Sequence, residues 1–159
     1  MDRESALSFR SVFAMTGILV LLDQYVKWVA SDCWRVPLAV IPRWLSLCYL
    51  ENRGAAFGIL QNRHGFFIAI SLIAAIAIAV WLVRLIVKPN LQNRWLILAL
   101  GCLLAGTIGN LIDRLLRGYV IDYISFTGFP TFNLSDILIN IGVAGILFVL
   151  FFPARTSTD

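Results

Sequence analysis

The stretch "FFIAISLIAAIAIAVWLV", residues 66–83, decides the fold class of this chain. It contains no charged residue, and Arg84 is the only charge before the apolar run ends at Val87. About 20 apolar residues in a helix are enough to cross the hydrocarbon core of a bilayer. The sequence therefore predicts a transmembrane helix over about residues 66–87.

Three other segments have the same apolar character, at about residues 9–30, 95–116 and 136–152. Of the 159 residues, 60% are hydrophobic and only 14% are charged, whereas a soluble domain is about 25% charged. We therefore predict an integral membrane protein, mainly α, with four transmembrane helices in a single domain over residues 1–159. The first segment lacks a small-residue cleavage site after its apolar run, so we expect an uncleaved span.

The segment of about residues 31–65, between the first two predicted helices, has a different pattern. Its central part, "VPLAVIPRWLSLCYLENRGAAFGIL" at residues 36–60, mixes β-branched and aromatic residues with Pro and Gly. This mixture is typical of short strands and turns rather than of a helix. We predict a small β-rich platform that lies on the membrane surface between helices 1 and 2.

The orientation in the membrane is predicted from the loop between the second and third helices. Residues 83–95, "VRLIVKPNLQNRW", carry basic residues and no acid, and short basic loops tend to stay in the cytoplasm. We therefore expect both termini to be cytoplasmic and the platform to be extracytoplasmic. The net charge of +4 is attributed to this bias and to contact with lipid headgroups, and we expect no nucleic-acid partner.

Acidic residues inside the predicted spans are costly and are therefore candidates for function. Asp23 lies four residues before Lys27, so the two can form an ion pair within one helix. Asp113 shares a helix face with Asn110 and Arg114 in the third span. For Asp23 the pattern favours a structural ion pair over direct chemistry. For the group around Asp113 the pattern does not decide between a structural polar cluster and residues that orient a neighbouring site.

Asp122 and Asp136 enclose the aromatic segment "DYISFTGFPTFNLSD" at residues 122–136. Asp136 precedes an apolar run, where capping the helix is the simplest role for a lone acid. If the third and fourth helices pack side by side, however, the loop between the two acids can bring their carboxyl groups close together. Two carboxylates at an apolar boundary share one proton, so that one is a base and the other an acid. This is the requirement for peptide hydrolysis by an aspartate pair, although a small transporter using intramembrane acids fits equally well.

Four blocks occur in order along the chain: "DQYVK" at residues 23–27, "NRGAAFG" at 52–58, "GNLIDRLLRGYVIDY" at 109–123 and "FNLSD" at 132–136. In these blocks the chain resembles the lipoprotein signal peptidase family, signal peptidase II of bacteria. The resemblance implies an aspartic endopeptidase of the bacterial cytoplasmic (inner) membrane. Such an enzyme removes the signal peptide from diacylglyceryl-modified prolipoproteins, and it cuts just before the lipidated cysteine with a water activated by two aspartates.

The pattern of that family also implies roles for individual residues. It places the catalytic pair at Asp122 and Asp136. Its supporting and substrate-binding positions match Asp23, Lys27, Asn52, Gly54, Asn110, Asp113, Arg114 and Asn133. The chain departs from the family pattern at Tyr123, where Phe is usual, and at Ser135, where Ala is usual.

The resemblance further implies an active site near the extracytoplasmic face that needs no cofactor and no metal. The implied partners are a lipidated prolipoprotein and membrane lipids, and we expect a monomer. The segment beginning at Asn52 would form a flap over the site. Four aromatic residues would lie at headgroup level: Trp34, Trp44, Tyr49 and Phe57. Two other hypotheses are a small transporter acting through Asp23 and a non-enzymatic assembly protein whose acids are all structural.

Overall fold

The computed structural model describes residues 9–54, 63–88 and 93–152. In chain order the elements are α1 (Phe9–Cys33), β1 (Leu38–Ile41), β2 (Leu45–Asn52), α2 (His64–Val87), α3 (Arg94–Arg117), β3 (Val120–Phe126) and α4 (Leu134–Phe151). All four helices are long and apolar enough to cross a membrane. The prediction of a mainly α membrane protein with four transmembrane helices is therefore confirmed.

The central helix is α3, which packs against each of the other three helices. Buried residues make up 67% of its membrane-spanning window, compared with 22%, 11% and 17% for α1, α2 and α4. Val12 of α1, Leu82 of α2 and Leu100 of α3 belong to one apolar core cluster. The other three helices carry many exposed large apolar side chains, as expected for surfaces that contact lipid tails.

Glycines allow α3 and α4 to approach each other closely. A Cβ atom at Gly142 would lie 2.7 Å from the carbonyl oxygen of Ala99, and one at Gly106 would lie 2.9 Å from Cγ1 of Ile139. Small residues permit such backbone contact in membranes, where packing rather than a hydrophobic force holds helices together. The close contact places the first turns of α4 beside the second half of α3, and the candidate site lies at this junction.

The three strands form an antiparallel sheet in the order β1-β2-β3. In the pairing of β2 with β3, Asn52 lies opposite Val120 and Leu50 lies opposite Asp122. In the chain β2 lies between α1 and α2, while β3 lies between α3 and α4. The pairing of these two strands therefore gathers one end of every helix around the sheet.

The third strand is a feature that the sequence pattern does not predict, because the pattern indicates only an aromatic loop there. The first four residues of β3, from Val120 to Tyr123, are all buried. The strand therefore lacks the alternation by which half-buried strands are recognised. After a turn at Gly128, whose φ is 82°, the chain returns and Phe132 forms a bridge with Ile124.

Candidate active site

Asp122 is the third residue of β3, and only 2% of its surface is exposed. Its Oδ1 accepts a hydrogen bond from Nδ2 of Asn133 at 2.7 Å, and its Oδ2 accepts one from Nδ2 of Asn52 at 2.9 Å. The oxygen of the Asn52 side chain accepts from the backbone N–H of Gly54 at 3.0 Å. This turn fixes the Asn52 amide so that its nitrogen points at Asp122.

Asp136 lies in the first turn of α4, where it forms a capping box with Asn133. The side-chain oxygen of Asn133 accepts from the backbone N–H of Asp136 at 3.0 Å, and Oδ2 of Asp136 accepts from the backbone N–H of Asn133 at 3.2 Å. The other oxygen, Oδ1, accepts from Nδ2 of Asn110 on α3 at 2.9 Å. Asn133 is thus the cap of the helix, and Asp136 has one carboxylate oxygen in the cap and one directed toward α3.

Asn133 connects the two carboxyl groups, and it is completely buried. Its side-chain nitrogen donates to Asp122, while its backbone nitrogen donates to Asp136. With the contributions of Asn52 and Asn110, each of the four carboxyl oxygens accepts one N–H hydrogen bond. Neither carboxyl group can rotate without breaking two of these bonds, so the pair is held in a fixed arrangement.

The pKa of Asp122 is raised from 3.8 to about 7. Burial of the carboxyl group is the main cause, and the charge of Asp136 adds to it. The hydrogen bonds from Asn52 and Asn133 act in the opposite direction, because they favour the ionised form. Because this pKa lies close to neutral pH, the carboxyl group of Asp122 can hold a proton and give it up under such conditions.

Both aspartates line one cavity of about 840 Å³. Four other predicted site residues line the same cavity: Asn52, Gly54, Asn110 and Arg114. Much of the remaining wall is apolar and includes Phe129 and Ile141, which are 62% and 52% exposed. The cavity therefore combines polar site residues with exposed apolar side chains. The exposed apolar part of its wall, which includes Phe129 and Ile141, is called the apolar rim.

Three predicted residues do not line the cavity but form a buried ionic cluster beside it. Nζ of Lys27 lies 2.8 Å from Oδ2 of Asp23 and 2.9 Å from Oδ2 of Asp113, and all three side chains are completely buried. Asp113 also pairs with Arg117 one helical turn away. The cluster therefore contains two carboxylates and two cations, which satisfies the rule that buried charges are paired.

The ionic cluster fixes the elements that carry the two aspartates of the cavity. Oδ2 of Asp113 accepts from the backbone N–H of Ile121 at 3.1 Å, which holds β3 against α3. Oδ1 of Asp23 accepts from the backbone N–H of Ser135 at 2.9 Å, which holds the start of α4 against α1. Asp122 follows Ile121 directly, and Asp136 follows Ser135 directly. Through these two contacts the cluster holds the residues that directly precede Asp122 and Asp136.

Three polar residues with clear contacts at the site are absent from the predicted set: Arg117, which pairs with Asp113 as described above, Gln24 and Asn140. Gln24 donates to the carbonyl oxygen of Gly109 at 3.1 Å and to Asp113 at 3.3 Å, so it belongs to the ionic cluster. Asn140 lines the cavity one turn after Asp136. Two features of the sequence could have identified Gln24 and Asn140: Gln24 directly follows Asp23, and Asn140 lies four residues after Asp136.

The flap and the aromatic belt are only partly described. Residues 55–58 of the predicted flap, including Phe57, lie outside the described residues. Trp44 is 69% exposed, Trp34 packs against Tyr123 with 5.8 Å between ring centroids, and the hydroxyl of Tyr49 lies 3.0 Å from that of Tyr119. The location of these rings at headgroup level stays a prediction.

The comparison with known proteins now adds to this geometry. Residues 15–152 match the family model described as Signal peptidase (SPase) II. The chain belongs to the signal peptidase II family. A curated relative from Caldanaerobacter subterraneus, named lipoprotein signal peptidase, is 39% identical over 87% of this chain and 94% of its own length. Another with the same name, from Brevibacillus brevis, is 37% identical over 91% of this chain and 97% of its own length.

Two solved structures agree with this membership in the signal peptidase II family. Both are titled as bacterial membrane enzymes solved by the in meso method. The first has a TM-score of 0.82 at 31% identity and covers 95% of this chain and 94% of its own. The second has a TM-score of 0.78 at 32% identity and covers 92% of this chain and 96% of its own. This signal peptidase II family member is therefore a multi-pass membrane peptidase.

Proposed function

We propose that this protein is an aspartic endopeptidase that removes the signal peptide from diacylglyceryl-modified prolipoproteins. The cut falls just before the lipidated cysteine, and a water activated by Asp122 and Asp136 attacks the peptide bond. The observation that carries the proposal is that Asn133 joins these two carboxyl groups, both of which line one cavity with an apolar rim. The name lipoprotein signal peptidase, given to the curated relatives, supports the substrate class.

The roles of the two acids follow from their surroundings. Asp136 lies at the N-terminus of α4, where the helix dipole favours a negative charge, so it is the base. Asp122, with a pKa of about 7, holds the proton and is the acid. Asp136 takes a proton from the water while the oxygen of that water bonds to the scissile carbonyl carbon. At the same time Asp122 protonates the carbonyl oxygen.

The second half of the reaction breaks the carbon–nitrogen bond. Asp136 returns its proton to the leaving nitrogen, and one hydroxyl of the tetrahedral intermediate returns a proton to Asp122. Both acids are then in their starting states, and the water has been divided between the new carboxyl and amino ends. The N–H donors around both carboxyl groups support this cycle because they hold the oxygens in place while the protons move.

The apolar rim of the cavity suits a substrate that arrives from the lipid phase. Phe129 and Ile141 are exposed at this rim, so the acyl chains stay in the bilayer while only the scissile bond reaches the acids. We place the site near the extracytoplasmic face of the bacterial inner membrane, with both termini in the cytoplasm. The basic loop around Lys88 supports this orientation. The whole chain acts as one domain and as a monomer.

Cleavage of a synthetic lipidated prolipoprotein by detergent-purified protein tests the proposal. Asp122→Asn and Asp136→Asn are each expected to abolish cleavage, because asparagine takes no proton from water and gives none to the carbonyl. Asp32→Asn is the matched control, since Asp32 is an exposed acid at the end of α1. An unlipidated substrate should stay uncut. If either site variant cuts at the rate of the wild type, the aspartic mechanism is wrong.

A further inference from the structure

Asn140 is an exposed polar residue in the middle of an apolar transmembrane helix. It lies in α4 one turn after Asp136 and lines the same cavity. Four residues of helix correspond to a rise of about 6 Å. Asn140 therefore lies about that far along α4 from Asp136, toward the interior of the bilayer, with the apolar side chains of Ile137 and Ile141 beside it on the cavity wall.

The hydrogen-bonding capacity of Asn140 is only partly used. Its Nδ2 donates to the backbone carbonyl oxygen of Asp136 at 2.9 Å, a bond within its own helix. A primary amide has a second N–H and an oxygen with two lone pairs. Among the described residues, none donates a hydrogen bond to that oxygen. Polar groups at membrane depth are costly unless they are paired, so a partner from the cavity would satisfy this amide.

We propose that Asn140 binds the backbone of the signal peptide shortly before the scissile bond, where it accepts from the N–H of one residue and donates to the carbonyl oxygen of that residue; this inference rests on the proposed function. An extended chain presents the N–H and the carbonyl oxygen of one residue on the same side, and these two groups match the free acceptor and donor of the Asn140 amide. The ester groups of the diacylglyceryl moiety offer acceptors only and would leave the Asn140 oxygen unpaired. An extended segment in the cavity also has free peptide groups, because its backbone forms no helix there.

The depth of Asn140 indicates which residue it reaches. An extended chain advances about 3.3 Å per residue, so about 6 Å along the helix corresponds to about two residues. The bound residue therefore lies about two residues before the scissile bond. Asn140 would act as a specificity-determining residue, because it favours a chain that is extended at this point over one that remains helical.

Substrates with single amide-to-ester replacements in the backbone test this inference. Each of the four peptide bonds before the scissile bond of the lipidated substrate is replaced in turn, which removes one N–H at a time. In the wild type, one replacement about two bonds before the cut should lower kcat/KM about three- to tenfold, the usual effect of one hydrogen bond. Asn140→Leu should show the same loss on the normal substrate and no further loss with that one ester.

Two controls separate this interaction from other effects. Thr107→Val removes a side-chain hydroxyl that donates to a carbonyl oxygen four residues back, as Asn140 does, but Thr107 lies on α3 away from the cavity. This variant should respond to every ester as the wild type does. Asn140 is exposed and its bond is within its own helix, so thermal unfolding of Asn140→Leu in detergent should match or exceed that of the wild type.

The outcomes distinguish this inference from the proposed function. If the wild type does not cut the normal lipidated substrate, the proposed function fails. If the wild type cuts it and Asn140→Leu matches the wild type on every substrate, only the role of Asn140 is overturned. A substrate with ether-linked chains lacks the ester carbonyls and should slow both proteins equally. A larger effect on the wild type would mean that Asn140 binds the lipid, and the peptide inference would be wrong.

Discussion

Nζ of Lys27 lies 3.1 Å from Oδ1 of Asn110, and this contact fixes the direction of the Asn110 amide. An ammonium group only donates, so the oxygen of Asn110 must face Lys27. The amide nitrogen then faces Oδ1 of Asp136, to which it donates at 2.9 Å. Lys27 therefore orients a donor to Asp136 without touching that residue or lining the cavity.

Replacement of Lys27 is expected to destabilise the fold strongly, because Lys27 is buried between two acids. In Lys27→Met, Asp23 and Asp113 stay buried without their shared cation. Removing one partner of a buried ion pair costs about 3–5 kcal/mol. Thermal unfolding in detergent should show a large loss for Lys27→Met and none for Lys88→Met, a change at an exposed lysine after α2. Equal unfolding of the two variants would contradict the positioning role.

Asn133 should matter for the reaction beyond its role as a helix cap. Asn133→Ser keeps an oxygen that can cap α4 but loses the donor to Asp122. Asp122 becomes charged as it gives its proton to the carbonyl oxygen, and a hydrogen bond to a charged group is worth about 1.5–3 kcal/mol, so kcat/KM should fall at least tenfold. Asn93→Ser is the matched control, because Asn93 caps α3 through the same kind of bonds at the far end of that helix. Similar rates for both variants would mean that Asn133 only caps.

The raised pKa of Asp122 predicts an alkaline limit to activity. Asp122 must be protonated to act as the acid, so kcat/KM should fall as the pH rises through about 7. The measured values belong to the pair of acids rather than to one residue. Rates on the lipidated substrate between about pH 4 and pH 10 would show the limit, and a rate that is constant across neutral pH would contradict it.

The same shift predicts how stability depends on pH. Because the folded pKa is about 7 and the unfolded value is 3.8, the folded state holds the Asp122 proton more tightly than the unfolded state. The stability that this proton contributes is fully present below pH 3.8, and it is lost as the pH rises through about 7. Asp122→Asn should therefore unfold at a higher temperature than the wild type above pH 7, with a smaller difference at pH 4. A constant difference would contradict the shift.

Ser135→Ala should stabilise the protein. Among the described residues, the hydroxyl of Ser135 is the buried side-chain group without a hydrogen-bond partner, and its exposed fraction is 0%. An unsatisfied buried polar group costs about 1–3 kcal/mol, so its removal should raise the unfolding temperature. The backbone N–H of Ser135, which binds Asp23, is kept in the variant. A lower unfolding temperature for Ser135→Ala would contradict this prediction.

The sequence predicted the four helices well because long apolar runs leave no other structure possible in a bilayer. Asp23 and Asp113 stand out because acids are rare in such runs, whereas Asn52 and Gly54 follow only from the family resemblance. The partners of those residues were not predicted. Asn133 and Asn110 are two ordinary amides in the sequence, and only the packing of α3 against α4 shows that both donate to the same pair of acids. Likewise, Val120 to Tyr123 form a strand that has no alternating pattern.

The burial of α3 has a consequence for how the chain enters the membrane during synthesis. Asn110, Asp113 and Arg117 make this helix a costly one to place alone in lipid. Their partners Lys27 and Gln24 lie on α1. Lys27 precedes Asn110 by 83 residues in the chain, so α1 leaves the ribosome well before α3. We therefore expect α3 to enter lipid at a lower free-energy cost when α1 is already there, because α1 supplies partners for its buried polar side chains.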